Sequence, residues 1–290
     1  MKFHTIEAYQ TFLESKDRMK IPEFNSFAKA IKSDPVFLGA ESRLTENASD
    51  FLQELEGSLL LDILDSDGMV LIGERLFFLD FNSKIVVVST DINLRNAILQ
   101  QDYSSDSIKL YGFEEDVFGL VSSQEESLIN KNIANRIAYS FDPNAANHND
   151  DKLNSSIEGT SFQGSDPYEY RLEAKHVYQK VGIYFRLFSE SKHMRRPSGS
   201  YLTYNSEATS LYIWYNFRYL SKKNGSTEAI GNSVANIFSD KLKPVYYESS
   251  RGLEKHWLKS QFYALPGGNH GFSPIGEFWQ FNLKELKEGY

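Results

Sequence analysis

Tyr168-Glu169-Tyr170-Arg171-Leu172-Glu173-Ala174-Lys175-His176-Val177-Tyr178 alternates with a period of two. Tyr170, Leu172, Ala174, His176 and Tyr178 share one face of this stretch, and Glu169, Arg171, Glu173 and Lys175 share the other. Successive side chains of a strand point to opposite faces, so the stretch predicts a strand with one buried and one wet face. Leu172 and Ala174 should face inward, and Glu173 and Lys175 outward. Further runs of this kind lie at Gly182–Ser191, Leu211–Leu220, Pro244–Ser250, His256–Leu265 and Glu277–Leu283, divided by turn residues. Six such runs predict an antiparallel β domain over 168–290, a sandwich or an open barrel.

Upstream the pattern changes, and the fold class expected for the whole chain is α+β. Phe3, Ile6, Tyr9, Phe12 and Leu13 recur at spacings of three and four, the period of one helix face. Pro22 begins a second helical stretch, and Asn47 to Asp50 can cap a third that carries Phe51, Leu52, Leu55, Leu59, Leu60 and Ile63. Met69–Ile72, Arg75–Phe81 and Lys84–Ser89 are short apolar runs separated by Gly73-Glu74 and Asn82-Ser83, which reads as a small β meander. Asp91 can cap a helix through Leu99, and Ile108 to Val121 holds one or two strands. The polar segment from Phe141 to Asp151 has no pattern and reads as a loop or linker. The expected division is a helical and β-hairpin domain at 1–140, a linker or loop at 141–167, and the β domain at 168–290.

Aromatic residues make up 14% of the chain, with 21 Phe and 17 Tyr, and large rings suit the half-buried surface of a sheet. The net charge of −8 argues against nucleic acid as a partner, because phosphate contacts call for a basic balance. The chain has no cysteine, which removes disulfides, thiol redox chemistry and thiolate zinc sites. No apolar run approaches the roughly 20 residues of a transmembrane segment. Met1 to Glu7 has no signal-peptide character. The expected location is the envelope or the extracellular space if a leader has been removed, and otherwise the cytoplasm.

Three segments carry a resemblance. Phe3-x-x-Ile6-Glu7-x-Tyr9, followed by Pro22-x-Phe24-x-Ser26-Phe27, is similar to the opening of uncharacterised Bacteroidetes envelope proteins of lipoprotein type. Ile63 to Phe77 resembles their hairpin of Leu-Asn-x-Asp-Gly followed by Ile-Gly-Asp, with Asp65 in place of the usual Asn and Glu74 in place of the usual Asp. Lys180-Val181-Gly182-Ile183-Tyr184, leading to Ser191-Lys192 and Arg195-Arg196, resembles their β domain. The resemblance covers about a third of the chain, points to the cell envelope and brings no activity with it.

No catalytic residue, cofactor or metal site is expected. The six histidines form neither HExxH nor a close pair with metal spacing. His148 beside Asp150 and Asp151 reads as a solvated loop, and His176 and His256 read as hydrogen-bonded strand residues. Gly267-Gly268-Asn269-His270-Gly271 lies between prolines and precedes a strand, so it reads as a wide turn and not as a phosphate cradle. Lys192-His193-Met194-Arg195-Arg196 reads as a charged strand end that guards a sheet edge, or alternatively as an anion or acidic-glycan contact. The most suggestive group is aromatic. Alternation places Tyr212 and Trp214 on one face of a strand, and Ile213, Tyr215, Phe217 and Tyr219 on the other. Rings beside guanidinium groups can hold a sugar, so the candidate ligand-binding residues are Trp214, Tyr212, Arg195, Arg196 and His270. The expected function is a non-enzymatic envelope or secreted protein that binds a glycan or a protein partner. The alternatives are a hydrolase acting on glycans or peptides, and a cytoplasmic structural or immunity-type protein.

Overall fold

The computed structural model describes residues 1–15, 51–52, 55, 57–123, 154–163, 168–197, 202, 204–223, 225–265, 279–282 and 286–288. The chain is rich in β-sheet and divides into two units. The first comprises Met1–Ile129, Lys180–Tyr184 and Glu248–Arg251, and the second comprises the remaining residues.

The first unit holds a five-stranded sheet in the order β1-β2-β3-β4-β5. Its strands are β1 (Lys2–Phe3), β2 (Met69–Ile72), β3 (Arg75–Asp80), β4 (Ile85–Ser89) and β5 (Ile108–Gly112). The meander read at β2, β3 and β4 is present, with antiparallel register. Phe3 is a correction. It was expected on a helix, but it pairs in parallel with Ile72, and helix α1 begins only at Ile6 and runs to Ser15. Phe3 still meets α1, through ring contacts with Tyr9 at 5.1 Å and Phe12 at 5.4 Å, which is why it fitted the helical spacing. Ile108 to Val121 holds one strand, β5, and part of a short helix, α4 (Val117–Ser123). Between β1 and β5, α2 (Leu59–Ile63) and α3 (Arg95–Leu99) complete the labelled helices. The stretch beginning at Pro22 lies outside the described residues.

Asp65 shapes the entry to β2. Its Oδ1 accepts from the backbone N–H of Asp67 and of Met69, both at 3.0 Å. Arg95 then ties Asp65, at 2.9 Å, to Asp67. A carboxylate that accepts from its own turn replaces the ladder bonds missing there. Elsewhere in the unit, Gly182 stands at φ +64°. Its N–H donates to Phe113 O at 2.7 Å, and its carbonyl accepts from Val117 N–H at 3.1 Å. Tyr9 is fully buried and donates its hydroxyl to the neighbouring Ile183 O at 3.1 Å. Arg251 Nε donates to both oxygens of the buried Asp116 at 2.9 Å.

The second unit contains two sheets. One has β10 (Ala208–Ser221) flanked by β11 (Gly225–Ser239) and β14 (Leu253–Leu265), with β15 (Trp279–Asn282) and β16 (Leu286–Glu288) on β14. The other has β6 (Asn154–Gln163), β7 (Tyr168–Lys180) and β8 (Phe185–Pro197) in sequence. Short strands β9 (Tyr204–Asn205), β12 (Lys241–Leu242) and β13 (Val245–Ser249) pair with β8. One apolar cluster draws on both sheets, with Leu172, Phe185 and Leu187 from one and Leu211, Ile213, Leu258 and Phe262 from the other. Leu172 and Ala174 are buried, and Glu173 and Lys175 stand half-exposed on the opposite face, as the alternation requires.

Two strands depart from the sequence reading. The span 141–167, expected to be a linker or loop, contains the ten-residue β6, which pairs along its length with β7. Its sequence, Asn-Ser-Ser-Ile-Glu-Gly-Thr-Ser-Phe-Gln, is too polar to announce a strand. The other is β11, which no alternation marked. Tyr215 pairs with Asn232 but Phe217 pairs with Ala229, so two residues of β11, Ile230 and Gly231, oppose Asn216. Gly231 takes φ +70°, a conformation natural to glycine. The bulge turns both Ala229 and Val234 toward Phe217 and Ile213, although five residues apart they would otherwise point to opposite faces.

Candidate functional site

Residue pairing across β10 and β14 builds the site. Tyr212 lies opposite Tyr263, Trp214 opposite Gln261, Asn216 opposite Lys259, and Arg218 opposite Trp257. The alternate residues of the same strands, Leu211, Ile213, Leu258 and Phe262, are fully buried. The paired row therefore occupies the face turned away from the apolar cluster. Its rings are half-buried, while Arg218 and Lys259 are exposed.

The groups in this row support one another. The Tyr212 and Tyr263 rings meet edge to face at 5.4 Å and 66°. Tyr263 donates its hydroxyl to Gln261 Oε1 at 2.8 Å, which fixes the amide beside Trp214. The Arg218 guanidinium lies 5.2 Å from the centre of the Trp257 ring. Arg218 also faces Glu228 on β11. From Tyr212 to Arg218 the row spans six residues of extended chain, about 20 Å. Flat rings, an amide and a cation thus share one sheet face. Rings offer apolar faces for stacking, and the amide and guanidinium supply directional hydrogen bonds.

Of the residues singled out from sequence, Trp214 and Tyr212 are in this row. Arg195 and Arg196 are not, since they belong to β8 in the other sheet, where Arg195 pairs with Tyr204. His270 lies outside the described residues. The basic run 192–196 is split by its strand, because His193 is buried, stacked on Tyr170 at 5.4 Å and bonded through Nδ1 to Ser206 O at 2.7 Å. The cation beside the rings is Arg218 instead. Arg218 and Trp257 carry no sequence signal of their own. Each sits at the outward phase of its strand, but only the pairing of β10 with β14 brings them together.

A histidine–serine pair does occur in the second unit, but as an internal network. His176 Nδ1 lies 2.9 Å from Ser189 Oγ, Tyr246 donates its hydroxyl to the same Oγ at 2.8 Å, and Ser260 Oγ stands 3.5 Å away. His176 and Ser189 have no exposure to solvent. Burial pushes the His176 imidazole down to about 3, so it stays neutral across the physiological range. Ser189 Oγ is shared by His176 and Tyr246, while His176 Nε2 has no hydrogen-bond partner, and neither His176 nor Ser189 reaches the surface. Among the described residues no three His, Asp or Glu side chains are grouped as metal ligands. No described helix is long and apolar enough to cross a membrane. Comparison with protein-family models, with curated proteins and with solved structures found no match to this chain.

Proposed function

We propose that this is a non-enzymatic binding protein whose C-terminal unit is a two-sheet β-sandwich and whose ligand is a glycan. The observation that supports the reading is the outward row on β10 and β14, in which Trp214, Trp257 and the Tyr212–Tyr263 pair share a face with Gln261 and Arg218. Aromatic side chains placed outward along a strand are useful where a partner supplies flat apolar surface with hydroxyl groups at its edge. An envelope or secreted setting, as the sequence resemblance implies, suits such a ligand. The enclosed His176–Ser189 pair offers no open hydrolytic site of its own.

A glycan-array screen run beside thermal melts tests the proposal. Trp214→Ala and Trp257→Ala should each abolish binding, with a melting temperature close to that of the wild type, because these rings are only partly buried and lie outside the apolar cluster. Absence of any glycan ligand for the wild type, or full binding by both variants, would refute it.

A further inference from the structure

The two sheets of the second unit also have faces turned away from each other, and the one on β7 and β8 carries an unusual set of charges. Val181 N–H donates to Tyr184 O at 2.9 Å to close the turn between these strands, and His176 meets Ser189 farther along. Both pairs fit one register. It places Gln179 across from Arg186, Val177 across from Phe188, and Lys175 across from Glu190. Arg186, Phe188, Glu190 and Lys192 share a single face of β8, since Phe185 and Leu187 on the alternate phase join the apolar cluster.

Arg186 is only 4% exposed, yet its Nε and Nη1 have no hydrogen-bond partner. Gln179 has no exposure at all, and both its Oε1 and its Nε2 lack a partner. The nearby carboxylate is taken by other cations. Glu190 lies 3.0 Å from Lys241, 3.4 Å from Lys192 and 3.9 Å from Lys243. Arg186 has no contact with Glu190 among these pairs and shares the Phe188 ring with Lys243, at 5.1 and 4.3 Å from its centre. Two cations on one ring repel, and a buried guanidinium without a counter-charge carries a desolvation penalty that the Phe188 ring offsets only in part. Burial, followed by the charge of Arg186, pushes the Lys243 ammonium down to about 7. Each of these costs disappears when an anion is present.

We infer that Arg186, Gln179 and Lys243 form a binding site for a phosphate, free or carried as a monoester. The guanidinium offers Nε and Nη1 as a two-pronged donor, Gln179 Nε2 adds a donor, and Lys243 supplies a second positive charge. Gln179 Oε1 accepts the proton of a singly protonated phosphate oxygen, so every unpartnered atom of the pair finds a use. The site lies on a different sheet from the Trp214 row and does not depend on a glycan ligand.

Isothermal titration of the full chain with inorganic phosphate and with glycerol 1-phosphate, at an ionic strength held constant with sodium chloride, tests the assignment. The wild type should bind at least one of the two, and comparison of the two affinities distinguishes free phosphate from a monoester. Arg186→Met and Gln179→Leu should each weaken binding roughly tenfold to a hundredfold, the range expected for losing hydrogen bonds to a charged group. Without phosphate, Arg186→Met should melt no lower than the wild type, because it removes an uncompensated buried charge. Gln179→Leu, which keeps volume and adds no charge, serves as the second variant if the first does not fold. Failure of the wild type to bind either compound, or equal binding by wild type and a folded variant, would overturn the site.

Discussion

Gly182→Ala should lower the stability of the first unit by about 2–5 kcal/mol, from two separate costs. Gly182 holds φ at +64°, where a Cβ costs roughly 1–2 kcal/mol. The added methyl would also run into Val86 Cγ2 and stand 3.1 Å from Val117 Cγ2. Val86 and Val117 are both fully buried, so neither can swing aside into solvent. Overpacking of this kind typically costs about 1–3 kcal/mol. The backbone cannot move away either, since both polar groups of Gly182 are bonded, to Phe113 and Val117. Urea unfolding of Gly182→Ala, Val86→Ala and the double variant checks the account. The double variant should lose less than the sum of the singles, because Val86→Ala removes the methyl groups that clash. Strict additivity would eliminate the Val86 contact as the cause.

Acid should destabilise the second unit through His176. In the folded protein its pKa is pushed down to about 3 by burial, whereas the unfolded chain titrates near 6.5. Between these values the unfolded state binds one more proton than the folded state. Stability is therefore undiminished above about pH 6.5 and falls as the pH drops toward 3. At about 1.36 kcal/mol per pH unit, the loss from this one group between pH 6.5 and 4.5 is roughly 2–3 kcal/mol. Replacing His176 by Asn keeps a neutral polar group near Ser189 and removes the titration. Denaturation at pH 7 and at pH 4.5 should show a smaller decline for His176→Asn than for the wild type. Equal declines would mean that His176 takes up no differential proton. Tyr246 is part of the same network, and burial raises its hydroxyl well above the normal range, so it remains a donor to Ser189 throughout.

The parts of the structure that could be read from sequence are those where one face of a strand is wet and the other dry. β7 alternates cleanly, and the phases of Leu172 and Ala174 follow directly from the chain; β10 carries rings on both faces, so its alternation groups residues without saying which face is dry. β6 and β11 could not be found in that way. The first is polar along its length, and the bulge at Gly231 breaks the period of the second. Phe3 misled because a helix and a neighbouring strand both direct rings into the same small core, and spacing alone does not say which element holds which ring. The candidate site was half legible for a related reason. Trp214 and Tyr212 sit two apart on one strand, so alternation groups them. Arg218 and Trp257 lie 39 positions apart in the chain, and only the register of β10 with β14 makes them neighbours. Arg195 and Arg196 are close to the ring cluster in sequence but enter a different sheet.

The bulge in β11 has a further consequence. Among the described strands β11 is the outermost of its sheet, fifteen residues long, with Glu228 as its only charge and with Ile230 and Ile237 about 70% exposed. A rim of that length and composition would ordinarily be an open invitation to stacking by other chains. β10 keeps an unbroken register with β14 from Ser210 to Leu220, so its own alternation does not slip. The slip falls entirely on β11, where paired positions sum to 447 before the bulge and 446 after it. The unpaired amide and carbonyl groups on the rim therefore change parity at Gly231, from one alternate set of residues to the other. An incoming straight strand can match the portion beyond Asn232 or the portion before Ala229, but not both. One glycine divides a long template into two short ones, neither of which can seed a fibre-length ladder.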